Sequence, residues 1–399
     1  MTKSDKTENE RALGTRLAEM FKCTETMRHN LDALVHYIYI KTEDPESETN
    51  KILCVMEAQG LIPCTDKRKS KECLNAFRML AIGLESEAKP KESTNASGLF
   101  SQVYVERDVE NHPETKRILS ELSNPEYTLI EDCKDVFFEK NQDILSQHEN
   151  RSLILARQHA KLLYPGAPVC QDFGNSYFYY TSCVKNCIFD CEYCYLKGMY
   201  PSANIVIYVD LDRVFEEVKE VLKEHPVYLC VSYDTDLLAM EEFLHYVEKW
   251  VNFTKENENL KIEVRTKSAN KKALRQLPVC DRVVYAFTIS PDEIISKYER
   301  KTPSLKNRLK TARVAKDLGH KIRFCFDPMI YVSNWKSIYK GMLDEVWSAF
   351  EPEEIEDISA GTFRISASYL KKMRKADPYS EVVWFPYDNK DGYYGYPEA

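Results

Sequence analysis

The chain has 399 residues, of which 43% are hydrophobic, and its formal net charge is −8. This length allows two or three domains, and the negative balance argues against a protein whose whole surface binds polyanions. The first residues are too charged for a secretory signal peptide, and no apolar run is long enough to span a bilayer. Thirteen cysteines, scattered without pattern outside one loop, suit a reducing compartment, so we expect a cytoplasmic protein.

The first part of the chain has the apolar spacing of helices. Between Leu13 and Ile38, apolar residues recur mostly at three- and four-residue steps, and further apolar stretches cover 52–61 and 74–84. The composition of 89–98, which reads Lys-Pro-Lys-Glu-Ser-Thr-Asn-Ala-Ser-Gly, is typical of a linker. We therefore predict a helical N-terminal domain over 1–88 and a linker over 89–100. Nothing in this part of the sequence indicates its role.

From about residue 100 onward, strand and helix patterns alternate. Strands are predicted at 102–106, 177–182, 205–209, 227–232, 261–266, 282–289, 322–328 and, more weakly, 361–365. Helices are predicted at 211–223, 237–251, 305–318 and 335–350. Such alternation favours right-handed crossovers and a parallel sheet. If the sheet curls into a barrel, chemistry collects at the C-terminal ends of its strands.

Four cysteines lie close together after the predicted strand at 177–182: Cys183, Cys187, Cys191 and Cys194. The last three, called the loop cysteines below, have the spacing Cys-x3-Cys-x2-Cys, which lets one loop direct three thiolates at an iron–sulfur cluster. A full ligand set is four, so one iron would stay open. Zinc is the alternative, but zinc sites usually combine two separated pairs. We predict a cluster on the loop cysteines and leave Cys183 outside the site.

Polar residues follow the next predicted strands at what would be the same rim. They are Tyr233 to Asp236, Lys267, Ser268, Thr288, Ser290 and Asp327. Each alone is typical of a turn or a helix cap, as Asp236 illustrates. Together they predict a pocket for a small zwitterionic cofactor.

Basic residues are concentrated in one region. Residues 261–325 carry seventeen Lys/Arg against six Asp/Glu, a net of +11. Such a region can guide a phosphate backbone whatever the total charge. Solvated helix faces are the more ordinary explanation.

The segment Cys-Ile-Phe-Asp-Cys-Glu-Tyr-Cys-Tyr-Leu resembles the radical S-adenosylmethionine enzymes and, within them, the spore photoproduct lyases. Val-Arg-Thr-Lys-Ser-Ala-Asn at 264–270 and Phe-Thr-Ile-Ser-Pro-Asp at 287–292 belong to the same resemblance, which covers roughly 103–396. It implies an α/β fold, namely a partial (β/α)6 TIM-like radical SAM barrel. The barrel core is expected at about 176–366, inside a domain of 101–399.

The resemblance also implies the cofactors. A 4Fe–4S cluster is expected on Cys187, Cys191 and Cys194, with S-adenosylmethionine on the open iron, cleaved by one electron to a 5′-deoxyadenosyl radical. The family's cofactor contacts carry over to Thr235, Lys267 and Thr288, where Lys267 pairs with the methionyl carboxylate. The implied partners are an electron donor of flavodoxin or ferredoxin type and DNA, with no membrane.

This sequence departs from the family at two places. Tyr233 occupies the position of the family's hydrogen-donating cysteine, so we expect Tyr233 to be catalytic, with Tyr193 and Tyr195 as a relay. The alternative is that Tyr233 only fills space. Cys230 is expected roughly 10 Å deeper along the strand and on its opposite face, where it is a poor substitute. At 391–396 a hairpin is expected, with Tyr393 in place of the arginine that the family wedges into the duplex.

These features predict repair of thymine photoproducts in DNA. One alternative keeps the radical chemistry but acts on a peptide or a nucleoside, as the missing cysteine allows. Another is a non-catalytic iron–sulfur protein that binds nucleic acid and docks a partner through its N-terminal helices.

Overall fold

The computed structural model describes residues 3–64, 69–82, 84, 99–139, 142–166 and 170–397. The predicted linker at 89–98 lies outside these residues. The helices are α1 (Lys3–Met20), α2 (Glu25–Lys41), α3 (Pro45–Ala58), α4 (Ser70–Ile82), α5 (Pro113–Glu121), α6 (Lys134–Phe137), α7 (Ile144–Glu149), α8 (Leu196–Met199), α9 (Leu211–Leu222), α10 (Leu237–Leu244), α11 (Tyr246–Glu256), α12 (Lys271–Gln276), α13 (Asp292–Tyr298), α14 (Leu305–Asp317), α15 (Trp335–Ala349), α16 (Ala367–Ala376) and α17 (Glu381–Trp384).

The strands are β1 (Val103–Glu106), β2 (Tyr127–Ile130), β3 (Leu153–Ala156), β4 (Leu163–Pro165), β5 (Phe178–Thr181), β6 (Val184–Lys185), β7 (Asp190–Cys191), β8 (Ile205–Tyr208), β9 (Val227–Cys230), β10 (Leu260–Thr266), β11 (Val283–Thr288), β12 (Glu299–Arg300), β13 (Lys321–Met329), β14 (Ile358–Thr362), β15 (Arg364–Ser366), β16 (Asp388–Lys390) and β17 (Tyr393–Gly395). No helix in the described part of the chain is both long and apolar enough to cross a membrane.

The chain divides into two compact units. One contains residues 1–91, 330–335 and 363–399, and the other contains 92–329 and 336–362. The predicted domain of 101–399 therefore does not coincide with the second unit, because the last 37 residues group with the N-terminal helices.

The first unit has a helical core. Leu17, Phe21, Leu34 and Phe77 are almost completely buried, as the apolar spacing predicted for the first three. The helical run breaks at Thr24, whose hydroxyl accepts a hydrogen bond from the Met27 amide and so begins α2 as an N-cap.

The first unit also contains a three-stranded antiparallel sheet of β15, β17 and β16. Its tight turn lies at Asp391 and Gly392, which both have positive φ angles. An Asp-Gly pair favours this kind of hairpin turn. The hairpin expected at 391–396 is therefore present, and Tyr393 is 43% exposed on it.

The second unit is built on a seven-stranded sheet in the order β14-β13-β11-β10-β9-β5-β4. Six of these strands run parallel, from β5 to β14, and β4 is antiparallel to β5. This half barrel confirms the predicted fold class. Its strand ends bring the loops after β5, β9, β10 and β11 to one rim.

A second sheet in this unit, in the order β2-β1-β3-β8-β6, was not predicted. The predicted strands at 102–106 and 205–209 belong to it and not to the half barrel. Its central strands β3 and β8 are buried along their whole length, so they read as short continuous apolar runs. Such runs carry no information about which sheet they join.

Candidate active site

The loop that carries the loop cysteines leaves β6 through a left-handed residue. Asn186 has a φ of 64°, a conformation that asparagine adopts more readily than most residues. Its side-chain amide donates to the carbonyls of Ser202 and Asn204, at 2.8 Å each. These hydrogen bonds fix the turn that precedes Cys187. The fourth cysteine, Cys183, lies outside this loop and is buried, with its sulfur 3.8 Å from the Val231 carbonyl.

Asp190 anchors the middle of the loop. Its buried carboxylate lies 2.8 Å from Lys197 Nζ, 2.7 Å from Arg300 Nε and 3.0 Å from His148 Nδ1. Burial alone would raise the pKa of Asp190, but Lys197, His148 and Arg300 hold that pKa well below its usual range. The carboxylate is therefore ionised and holds the loop between β12 and α8.

Arg151 holds the loop backbone from the other side. Its guanidinium donates to the carbonyls of Ile188 at 2.6 Å and Phe189 at 3.0 Å. The same guanidinium interacts electrostatically with all three loop cysteines. Burial raises the pKa of their thiols, that of Cys191 to about 12. Deprotonation of these thiols therefore requires a nearby positive charge, such as Arg151 or a bound metal ion.

The spacing of possible ligand atoms can be compared with that of a zinc site. A tetrahedral zinc ion with bonds of about 2.3 Å brings its sulfurs to about 3.8 Å from one another. Among the described residues, ligand atoms gather within 4.8 Å at Glu106, Asp132 and Cys133, and not at the loop cysteines. At that other group, the Glu106 carboxylate already accepts from the amides of Cys133 and Arg157. The loop sulfurs are thus not drawn together as the ligands of a preformed zinc site would be.

Glu299 supports the loop through β12, which pairs antiparallel with β7. Its carboxylate forms an ion pair with Arg308, and both side chains are completely buried. It also accepts hydrogen bonds from Tyr193 and, at 2.8 Å, from Ser290. Burial raises the pKa of Glu299, but Arg308 and then Lys267 lower it to about 2. The Tyr193 hydroxyl is therefore engaged on the Glu299 side of the loop.

Tyr195 points to the other side, towards the turn after β9. Its hydroxyl donates to the Tyr233 carbonyl at 2.7 Å and to Asp234 at 3.1 Å, and the Tyr195 and Tyr233 ring centroids are 5.9 Å apart. Asp234 also accepts from Tyr200 and Ser182. Of the three tyrosines expected to form a relay, the structure brings Tyr195 and Tyr233 together.

Asp236 joins two of the rim turns. It is the N-cap of α10, accepting from the Ala239 amide at 3.0 Å, and it accepts from the Lys267 amide at 2.7 Å and from the Thr266 hydroxyl. Beside it, the hydroxyl of Thr235 is buried and has no hydrogen-bond partner within the described residues. An unpaired buried hydroxyl is costly, so Thr235 fits a ligand that supplies the missing partner.

Lys267 lies close to the loop. Its ammonium is 5.6 Å from the centre of the Tyr193 ring. Burial lowers the pKa of Lys267, but the Cys191 thiol and the Glu299 carboxylate give a net rise. Thr288 ends the neighbouring strand β11 and is 9% exposed. These contacts fit an ammonium that meets a ligand carboxylate beside the loop cysteines.

Two residues near Tyr233 were missed by the sequence analysis. The Cys170 sulfur lies 3.4 Å from the Tyr233 hydroxyl, and the Tyr180 ring stacks on the Tyr233 ring with centroids 4.1 Å apart. Cys170 lies 63 positions before Tyr233 in the chain, so no local pattern marks it.

The expectation that Cys230 lies on the face opposite Tyr233 is wrong. Strand β9 ends at Cys230, so side-chain alternation does not extend to Tyr233. Cys230 pairs in register with Tyr180, whose ring stacks on Tyr233, and so both lie on the same face. Cys230 remains completely buried.

Many basic residues of the segment at 261–325 lie next to carboxylates. At least eight of its seventeen basic residues form ion pairs: Lys261, Arg265, Lys272, Arg300, Arg308, Arg313, Lys321 and Arg323. Lys271 and Lys301 line an open cavity of about 450 Å³ together with Ile188 and Phe189 of the cysteine loop. About half of the basic residues in this segment are therefore already paired with a carboxylate.

Comparison with known proteins gives matches over the part of the chain that contains the cysteine loop and the rim residues. A family model described as spore photoproduct lyase matches residues 172–377, slightly more than half of the sequence. The spore photoproduct lyase of Clostridium acetobutylicum is 23% identical over 311 residues, which cover 75% of this chain and 89% of that protein. The enzyme of Bacillus subtilis is 20% identical over 177 residues, which cover 43% of this chain and 52% of that protein.

Solved structures agree on the fold. Spore photoproduct lyase complexed with dinucleoside spore photoproduct is 16% identical, with a TM-score of 0.61, and the match covers 73% of this chain and 84% of that chain. A mutant with bound AdoMet and dinucleoside spore photoproduct is 17% identical, with a TM-score of 0.59 and coverage of 71% and 84%. The matched region of residues 172–377 contains all three loop cysteines and the rim residues Tyr233, Lys267 and Thr288. The chain therefore belongs to the spore photoproduct lyase family and is a lyase-type radical S-adenosylmethionine enzyme.

Proposed function

We propose that this protein uses a 4Fe–4S cluster and S-adenosylmethionine to repair thymine photoproducts in DNA. The observation that carries the proposal is the position of Lys267 and Thr235. The Thr235 hydroxyl is buried and has no hydrogen-bond partner among the described residues, and the Lys267 ammonium lies 5.6 Å from the centre of the Tyr193 ring in the cysteine loop. Relatives named spore photoproduct lyase, one of them solved with AdoMet and a dinucleoside photoproduct, support the same chemistry.

Different residues bind the cluster and S-adenosylmethionine. Cys187, Cys191 and Cys194 hold the cluster, Lys267 pairs with the methionyl carboxylate, and the hydroxyls of Thr235 and Thr288 hydrogen-bond to the cofactor. When bound, the cluster and S-adenosylmethionine supply the radical that removes a hydrogen atom from the substrate.

The chain itself orients and shields this chemistry. Asp190, Arg151 and Glu299 fix the loop through ion pairs and backbone hydrogen bonds, so the thiols do not reorganise when they bind iron. Burial of Cys191 limits the access of water to this part of the site. Tyr195 positions the turn that carries Tyr233, whose phenol hydroxyl lies 3.4 Å from the Cys170 sulfur.

The partners follow from the same chemistry. An electron donor of flavodoxin or ferredoxin type supplies the electron, and DNA supplies the photoproduct. The exposed Tyr393 ring, on the hairpin turn, suits stacking on an unpaired base. All thirteen cysteines are free thiols, which supports a reducing cytoplasm.

The test is a photoproduct assay. The protein is reconstituted anaerobically with iron and sulfide, reduced, and incubated with S-adenosylmethionine and dinucleoside spore photoproduct, while 5′-deoxyadenosine and restored thymine are measured by chromatography. We expect both products, and neither with Cys191→Ala. Absence of 5′-deoxyadenosine from iron-loaded protein would favour the non-catalytic nucleic-acid binder.

A second candidate keeps the radical chemistry with a non-DNA substrate such as a peptide or a nucleoside. Tyr233 at the donor position and the internal pairing of the basic segment favour it. Release of 5′-deoxyadenosine without restored thymine, in protein that binds S-adenosylmethionine normally, is the result that selects this candidate.

A further inference from the structure

The loop before β5 and the turn after β9 meet at one contact between two groups that can donate a hydrogen atom. The Cys170 sulfur lies 3.4 Å from the Tyr233 hydroxyl, within hydrogen-bond reach for sulfur. Both residues are partly exposed, whereas the other nearby thiol, on Cys230, is completely buried. A substrate can therefore reach the Cys170–Tyr233 pair from outside the sheet.

The tyrosine of this pair is held in place. Its ring stacks on Tyr180 at 4.1 Å, and its backbone carbonyl accepts from the Tyr195 hydroxyl at 2.7 Å. Two residues further along the same turn, Thr235 is 8% exposed and its hydroxyl has no partner among the described residues. The turn that holds Tyr233 therefore also carries a buried hydroxyl that a ligand would satisfy, and Cys170 contacts the same turn.

We propose that Cys170 donates the hydrogen atom that quenches the product radical, and that Tyr233 restores the Cys170 thiol. The proposal rests on the function proposed above and names the residues that complete it. The family's hydrogen-donating cysteine is expected at the position of Tyr233. The proposal gives its role to Cys170, which lies in a different part of the chain and contacts Tyr233 directly. Cys170 is thereby the catalytic residue and Tyr233 its hydrogen source.

The atoms and electrons balance in three steps. The carbon-centred radical of the product thymine takes the hydrogen atom of the Cys170 S–H bond, so one C–H bond forms and a thiyl radical remains on Sγ. That thiyl radical takes the hydrogen atom of the Tyr233 O–H bond, which restores the thiol and leaves a phenoxyl radical. One electron from the low-potential reductant that the reaction already requires, with one proton from solvent, restores the phenol.

The first experiment measures restored thymine per 5′-deoxyadenosine in reconstituted full-length protein. Cys170→Ala and Cys170→Ser should each lower this ratio at least tenfold while 5′-deoxyadenosine still forms. Tyr233→Phe should keep the ratio in a single turnover and lose it over many turnovers, because the thiol is not restored.

Two matched variants control this experiment. Cys280→Ala removes another partly exposed thiol, one that precedes β11 at the end of the sheet away from the rim, and should not change the ratio. Cys230→Ala should also keep it. An unchanged ratio in both Cys170 variants, or a loss in Cys230→Ala alone, overturns the proposal.

The second experiment does not depend on the loaded enzyme. Alkylation of Cys170 by iodoacetamide is followed by mass spectrometry in the wild type and in Tyr233→Phe. Loss of the Tyr233 hydroxyl should change the alkylation rate of Cys170 at least twofold and leave that of Cys280 unchanged. Equal alkylation rates of Cys170 in the two proteins would contradict the contact. If the wild type restores no thymine, the proposed function has failed, and the alkylation rates still decide whether the pair exists.

Discussion

The two sides of the cysteine loop differ in how their polar groups are satisfied. On the side of β12, Glu299, Arg308 and Tyr193 are buried and bonded to one another. On the side of the turn after β9, Cys170 and Tyr233 are partly exposed, and the Thr235 hydroxyl has no partner among the described residues. Buried polar groups are normally hydrogen-bonded. The side on which they all have partners therefore stabilises the cysteine loop, and the side with an unpaired hydroxyl is the better candidate for binding a ligand.

The same comparison separates what is common to the family from what is particular to this chain. The loop cysteines lie inside the region that matches the family model, and the Glu299–Arg308 side supports their loop. Tyr233, where we expect a departure from the family, lies on the open side, and its hydroxyl is 3.4 Å from the Cys170 sulfur. A change there leaves the ion pairs of the other side intact.

The largest effect is expected at the loop itself. Cys191→Ala should lower iron bound after anaerobic reconstitution at least tenfold, because a cluster then keeps only two protein ligands. Iron and acid-labile sulfide are measured in the purified protein. Cys183→Ala, which removes a buried thiol outside the loop, should retain iron, and loss of iron there would make Cys183 a ligand.

On the paired side, Arg308→Met should destabilise the protein by about 3–5 kcal/mol, because it leaves the Glu299 carboxylate buried without its cation. Urea unfolding of the apoprotein measures the change. Arg313→Met on the same helix is the control, since its pair with Glu354 is partly exposed and its loss should cost much less. Equal losses of unfolding free energy in the two variants would contradict the distinction between a buried ion pair that supports the loop and an exposed ion pair.

On the open side, Lys267→Met should weaken binding of S-adenosylmethionine by about thirtyfold, which corresponds to ~2 kcal/mol for a charged hydrogen bond. Equilibrium dialysis with iron-loaded protein gives the dissociation constants. Lys272→Met, which removes an exposed lysine paired with Glu242, is the matched control and should bind as the wild type does.

The smallest effect is expected at Thr235. Thr235→Val keeps the shape of the side chain but removes its hydroxyl, so binding should weaken about fivefold, or ~1 kcal/mol. Thr235→Ser should preserve the wild-type affinity. If Thr235→Val binds as well as the wild type, the orphan hydroxyl does not face the cofactor.

Local spacing predicted much of this site, and long-range contacts account for what it missed. The Cys-x3-Cys-x2-Cys spacing and the residues that follow strands are readable because they lie within a few positions of one another. Glu299 and Arg308 are only nine positions apart in the chain. Their contact with the cysteine loop nevertheless depends on the pairing of β12 with β7, which no sequence periodicity predicts. The Cys170–Tyr233 contact spans 63 positions.

The fold shows the same limit. The six parallel strands follow from strand and helix alternation, whereas the second sheet depends on which buried strands pair. The apolar runs in β3 and β8 are compatible with either sheet.

Asp236 joins the two proposed cofactor contacts through one carboxylate. It caps the start of α10, directly after Thr235, and it accepts a hydrogen bond from the Lys267 amide. Tyr233 lies three positions earlier, outside these bonds. A substitution at Tyr233 should therefore leave the distance between Thr235 and Lys267 unchanged.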